Sequence, residues 1–395
     1  MKFSALLLVV FVAACATSGR QAPSEKIYWP KKPNIPRYVH ETTLRSSANI
    51  KVSSDADKLQ DLMLGLSPSK KDAFGKPYDI AARFGRILIT DSVTRAALMF
   101  NIPERKAYPI GVRDGDGELK KPMGVAIDGN KFLYIADVSD QVVRVYDPLG
   151  RFMRFIGKKG DFVRPVDVAV DEKGERIYVV DAGGIESDRH EVTIFDRAGK
   201  PLRVIGGRGG NEGEFNLPIQ AAVASDGTLY VLDAGNFRVQ AFDRDGNFLR
   251  MFGKVGRNFG DFARPRGIAV DTFGNIYVTD ATFRNFQVFT PQGKLLMWIG
   301  NAGLFDTPGN IILPAGIAVD ETNRVYVVDQ LMRKIEVYKK LTENEIARLV
   351  PGYVMVVPPT QAAETATTAT TTTNEPTQES AVDGQQKNSK LEPPS

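Results

Sequence analysis

Residues 265–280 read PRGIAVDTFGNIYVTD. Two apolar runs of strand length flank a polar turn containing Gly274, and neither run carries a helical period. The same phrase recurs along the chain as KPMGVAID with LYIAD, RPVDVAVD with IYVVD, LPIQAAVASD with LYVLD and LPAGIAVD with VYVVD. A worn first copy reads KPYDIAA with ILITD. The phrase prolines are Pro77, Pro122, Pro165, Pro218, Pro265 and Pro314, an average of about 47 residues apart. Each copy continues into two more strand-like runs, such as FRVQAFD and NFLRMFG, joined by an Asp-Gly turn at Asp245 and Gly246. Four short strands per repeat, six times over, predict an all-β, six-bladed propeller. Tyr134, Tyr178, Tyr230, Tyr277 and Tyr326 each stand three residues before a strand-ending Asp, and are expected to pack between blades.

With Gly-rich linkers such as GGRGGNEGEFNLP and GKVGRNFGDFARP, residues 74–340 resemble the NHL-repeat family. The resemblance implies the propeller fold and leaves activity open, because the fold hosts RNA readers, lyases and scaffolds. The sixth copy lacks an outermost strand. Residues 36–44, PRYVHETTL, read as an isolated strand far upstream, and are expected to supply it and close the ring. The propeller is expected over residues 74–358, with a ring-closing strand and short helix over 36–73. Ser54 would cap that helix, and Leu59, Leu62, Met63 and Leu66 share its face. Residues 359–395 are Thr-rich and net acidic, which predicts a disordered tail.

The chain opens MKFSALLLVVFVAAC. Lys2 followed by about ten apolar residues reads as a secretion signal over 1–14, too short to span a bilayer. Val12-Ala13-Ala14-Cys15 resembles the lipobox of bacterial lipoproteins, and Cys15 is the only cysteine. The resemblance implies cleavage before Cys15 and acylation of it, palmitate included. Ala16 at the next position implies sorting to the outer membrane of a Gram-negative cell. Proline-rich residues 15–35 would serve as a lipidated spacer, resembling the lead-in of six-bladed-propeller lipoproteins.

The chain has 395 residues, a net charge of +4, two histidines and a single cysteine. That composition excludes an intramolecular disulfide framework and a Cys-rich zinc site. No nucleophile elbow, His-Glu-x-x-His or Walker loop is present. Family members that are amidating lyases need several histidines for zinc, and His40 with His190 cannot supply them. His190, in an insertion of the third copy, is expected in an exposed loop.

Six aspartates, from Asp91 to Asp329, end the second strand of every copy, and are expected to cap turn amides. A site is sought where the symmetry breaks. Two residues after each phrase proline stand Gly124, Gly267 and Gly316, but Asp79, Asp167 and Gln220 in the other copies. These should ring one mouth of the central channel, where they could hold calcium or a polar ligand, or be solvated by channel water. The long linkers on that face carry Lys158, Lys159, Arg164, Arg208, Arg257, Arg264, Arg266, Arg284, Arg333 and Lys334, with Phe237, Phe259 and Phe283 interleaved. Turns on the other face, such as 271–274 and 291–293, are short. The expectation is a monomeric, lipid-anchored binding platform in the cell envelope, within a secretion, surface or electron-transfer assembly. It would engage protein partners, acidic ones above all, or an anionic envelope polymer, through Arg264, Arg266, Phe283 and Arg284, with no nucleic acid and no cofactor. The alternative is a calcium-assisted lyase or hydrolase working at Asp79, Asp167 and Gln220.

Overall fold

A computed structural model describes residues 26–50, 73–113, 115–184, 186–300 and 305–354. The expected signal peptide, Cys15, the helix from Ser54 to Leu66 and the Thr-rich tail lie outside the described residues. Five four-stranded antiparallel sheets and one five-stranded sheet follow one another in chain order. This is a six-bladed β-propeller. In blade five, for example, the strands are Pro265–Val270, Ile276–Asp280, Asn285–Phe289 and Leu295–Ile299. The second and third strands of that blade are buried at every position, while the fourth alternates. Middle strands are covered by a neighbouring blade on both faces and read as continuous apolar runs. Outermost strands meet water on one face.

Blade six takes its fourth strand from the start of the chain. Tyr38–Leu44 pairs antiparallel with Lys334–Lys340, the pair Leu44–Ile335 closing its inner end. Tyr28–Trp29 adds a fifth strand beyond it. The expected spacer is therefore partly built into the ring: Trp29 is buried, edge-on to Tyr338 at 5.4 Å.

Each of six apolar clusters joins two adjacent blades. Tyr178 of blade three packs with Leu229 and Val231 of blade four. Tyr230 packs with Ile276 and Val278 of blade five, and Tyr326 of blade six with Ile87 and Ile89 of blade one. The repeated tyrosine thus does the work expected of it, and three of the five also donate a hydroxyl to the aspartate after their own first strand, as Tyr277 does to Asp271 at 2.9 Å. The strand-ending aspartates receive linker amides. Asp280 accepts from Ala263 at 2.8 Å and Arg264 at 3.0 Å, and Asp181 from Val163 and Arg164 at 2.7 and 2.8 Å. Each carboxylate fixes where the chain enters the next first strand.

A second compact unit begins at Thr342. Its described part is a short helix, Glu343–Leu349, with a capping box between Thr342 and Glu345. No strand-based reading of 341–358 anticipates it.

Candidate functional site

The six first strands surround the axis, and the residues that break the symmetry meet there. Asp79 and Asp167 are 1% and 2% exposed, and Gln220 is also buried. Asp79 Oδ2 accepts the Val125 amide of blade two at 3.0 Å. Asp167 Oδ2 accepts the Ala221 amide of blade four at 2.8 Å, and Gln220 Oε1 accepts the Ile268 amide of blade five at 2.6 Å. Gln220 Nε2 donates to Asp79 Oδ1, and the two carboxyls share a hydrogen bond, which needs a proton. Burial pushes Asp79 up to about 7, and burial together with the neighbouring Asp79 charge holds Asp167 well above the carboxylate range.

The glycines in the other copies make this possible. A Cβ on Gly124 would collide with the Asp167 carboxyl and backbone, and one on Gly316 with those of Asp79. Gly124→Ala is therefore expected to lower unfolding free energy by about 1–3 kcal/mol, read as a shift of the urea midpoint with unchanged slope. An equal cost for alanine at Gly210, where a Cβ meets open space, would refute the steric account.

This geometry corrects the expectation of an open mouth. Asp79, Asp167 and Gln220 form a buried polar plug whose oxygens are occupied by backbone amides and by one another. Calcium requires six to eight outward-facing oxygens, several of them charged. Among the described residues no group of three His, Cys, Asp or Glu side chains is placed to hold a metal. His190 is corrected as well: it is buried, and its Nδ1 accepts the Leu217 amide at 3.0 Å, locking the insertion of blade three onto the next linker. Lys334 is likewise buried and paired with Glu336 and Asp306.

The remaining predicted residues divide between two places. Arg266 lies close enough to Tyr78, the chain neighbour of Asp79, to act on its hydroxyl electrostatically. Arg264 and Phe283 both donate their amides to Asp280 in blade five, with Arg284 next in the chain. Around them is an aromatic cluster: Phe259, 66% exposed, stacks on Trp298, 43% exposed, with ring centroids 3.8 Å apart. Phe283, Asn285 and Arg257 join that pair in lining a cavity of about 180 Å³.

The NHL repeat family matches residues 215–242, and the SBBP β-propeller repeat matches residues 263–279. The chain is a six-bladed propeller with a repeat of the NHL type. NHL repeat-containing protein 3 of Mus musculus is 30% identical over 135 residues, which are 30% of this chain and 38% of that protein's length. Among solved structures, a protein of unknown function from Bacteroides thetaiotaomicron is 19% identical with a TM-score of 0.53, covering 77% of this chain and 75% of its own. A gluconolactonase from Xanthomonas campestris is 18% identical with a TM-score of 0.51, covering 68% and 87%. These likenesses concern the fold, and a fold does not choose between enzyme and binding module.

Two features of this propeller escape a reading of its repeats. One is a funnel of about 300 Å³ on the short-turn side of the plug, walled by the far halves of the first strands, among them Ala82, Val170 and Val270. Arg83 and Glu172, 3.3 Å apart, stand at its rim. Small residues at the same place in every copy were its only signal. The other is the pairing of Trp298 with Phe259. Trp298 sits at an outward position of an outermost strand, where an apolar ring that large is costly to leave in water.

Proposed function

We propose that this propeller is a lipid-anchored binding platform of the bacterial cell envelope, which holds a partner protein of a secretion, surface or electron-transfer assembly on its long-loop face. The observation that carries this reading is the exposed Phe259–Trp298 stack beside Arg257, Arg264 and Arg284. Clustered exposed aromatics rimmed by charge mark interaction surfaces, while the ionisable groups on the axis are consumed in holding blades together. Positive charge at the rim favours an acidic partner and fast, salt-sensitive capture. Among the described residues no helix is long and apolar enough to cross a membrane, and the lipobox at Val12–Cys15 is the proposed means of attachment. Its test is Cys15→Ser, which should abolish incorporation of an alkyne-palmitate label and move the protein from the membrane pellet to the soluble fraction. A variant that stays labelled and pelleted refutes the anchor.

The face is tested by changing Arg264, Arg266 and Arg284 to Ser together. Arg264 is exposed and the other two partly so, so the melting temperature should move little. Recovery of the partner from mild-detergent extracts should fall about tenfold or more at physiological salt, with a flatter salt dependence. Recovery unchanged by the triple variant, but lost on altering the turns 271–274 and 291–293, would put the working surface on the opposite face.

A further inference from the structure

The linkers entering blade-four and blade-five first strands are equal in length, and each residue from Gly206 to Pro218 has its counterpart 47 positions on. In blade four the linker wraps a buried guanidinium. Arg238 Nε donates to Asp233 at 2.8 Å, Nη1 to the Gly210 carbonyl at 2.8 Å, and Nη2 to the carbonyls of Asn211 and Glu214 at 2.8 and 2.9 Å. The frame recurs in blade five. Gln287 donates to the Asp261 carbonyl at 2.9 Å and accepts the Gly260 amide at 2.8 Å, as Gln240 does with Glu214 and Gly213. The guanidinium does not recur. Asn285 stands where Arg238 does, Trp298 where Met251 does, and the 180 Å³ cavity occupies the vacated space.

In blade six Lys334 stands where Arg238 does and reaches Asp306 and the Thr307 carbonyl. In blades two and three a cation from a nearby position reaches the linker instead: Arg144, at the place of Gln240, donates to the Asp116 carbonyl and Asp137, and Arg189, from the insertion, to the Asp161 carbonyl. Blade five alone among these keeps the acceptors and omits the donor. Asn285 is 8% exposed, and its Oδ1 has no hydrogen-bond partner. An unpaired buried oxygen is costly, and a half-turn of the amide, which changes no shape, lets it face the cavity.

We propose that this cavity receives the guanidinium of an arginine side chain presented by a partner protein, seated as Arg238 is seated in blade four. The carbonyls of Arg257 and Asn258, with the Asp280 carboxylate behind them, correspond to the acceptors of the blade-four guanidinium. Phe259 and Trp298, stacked on each other, each leave one ring face on which a planar cation can stack. At about 180 Å³ the cavity admits a guanidinium head group. Arg257 lines the cavity and Arg284 lies in the chain between two lining residues, Phe283 and Asn285, so free small cations are repelled and the guest arginine comes with acidic neighbours that meet these charges. This rests on the platform reading for the partner being a protein; the chemistry of the cavity stands apart from it.

The experiment is calorimetric titration of the mature protein with the capped peptide acetyl-Asp-Arg-Glu-amide. Saturable binding is expected, about tenfold or more weaker when citrulline replaces the arginine and likewise weaker for free arginine amide. Asn285→Arg should fill the cavity from within, abolish peptide binding and leave the melting temperature equal or higher. Should that variant misfold, Phe259→Ala, at an exposed position, must weaken the peptide instead. No saturation by the arginine peptide, equal binding of the citrulline peptide, or binding unaffected by the folded variants overturns the proposal, and tighter binding of free arginine amide overturns the protein source. Peptide binding without any captured partner would leave the cavity standing and remove the platform. Capture that depends on Arg264, Arg266 and Arg284 without peptide binding would do the reverse.

Discussion

A chain lacking residues 26–44 is expected to lose its cooperative unfolding transition altogether. The deletion strips the fourth and fifth strands from blade six and leaves the backbone edge of Lys334–Lys340 unpaired. It also removes Trp29, Tyr38 and Leu44, all buried, from the clusters that join blade six to its neighbours. Truncating one buried aromatic costs about 3–5 kcal/mol, and a whole domain has only about 5–15 kcal/mol in hand. Scanning calorimetry should show no single sharp endotherm, and limited proteolysis should cut inside blades one and six first. A milder probe is Tyr38→Phe, which removes the 2.7 Å hydroxyl contact with Tyr277 and should cost about 1 kcal/mol. A truncated chain that melts within a few degrees of the full one would show that the ring is held shut some other way.

The second large effect concerns protons. Asp79 ionises near 7 in the folded chain and near 4 when unfolded, so the folded state binds its proton more tightly. The stability linked to that proton is fully present below about pH 4 and is lost as pH rises through about 7. A difference of roughly three units corresponds to on the order of 4 kcal/mol. Asp167, which holds its proton longer still, is the one to replace. In Asp167→Asn the amide oxygen can accept from Ala221, and the amide nitrogen can donate to Asp79 as the protonated acid does. The variant also has no acid at 167 whose proton the folded state must keep at a pH where the unfolded chain releases it. Urea unfolding at pH 5 should hardly distinguish the variant from the parent, whereas at pH 8 the variant should be more stable by about 1–3 kcal/mol. Parallel pH profiles for the two proteins would mean that the pair does not share a proton.

Much of the fold was legible because repetition reports on scaffolding. Pro265, Tyr277 and Asp280 recur in phase because every blade needs the same strand start, inter-blade ring and linker anchor. Even the displaced strand at Tyr38–Leu44 could be found, since the sixth copy is one strand short. The candidate site was legible only as a list of exceptions. Asp79, Asp167 and Gln220 were visible as departures from glycine, but whether a polar side chain near an axis faces solvent or a neighbouring amide depends on distances across the ring that no single repeat encodes. His190 failed for the same reason: an insertion reads as an exposed loop until Leu217 of the following linker supplies its partner. Nothing in the sequence alone marks Asn285, because its meaning lies in a comparison with Arg238, one blade away, and in the volume left where that guanidinium would be.

The strand that completes blade six also decides how the molecule carries load. Any tension applied upstream of residue 26 reaches the body first through the two-residue strand Tyr28–Trp29 and then through the ladder from Tyr38 to Leu44. That ladder belongs to the sheet built by the last repeat, so a pull on the start of the chain is borne by its other end. A tether attached there would load first the ladder that closes the circle, before any ladder within a single repeat.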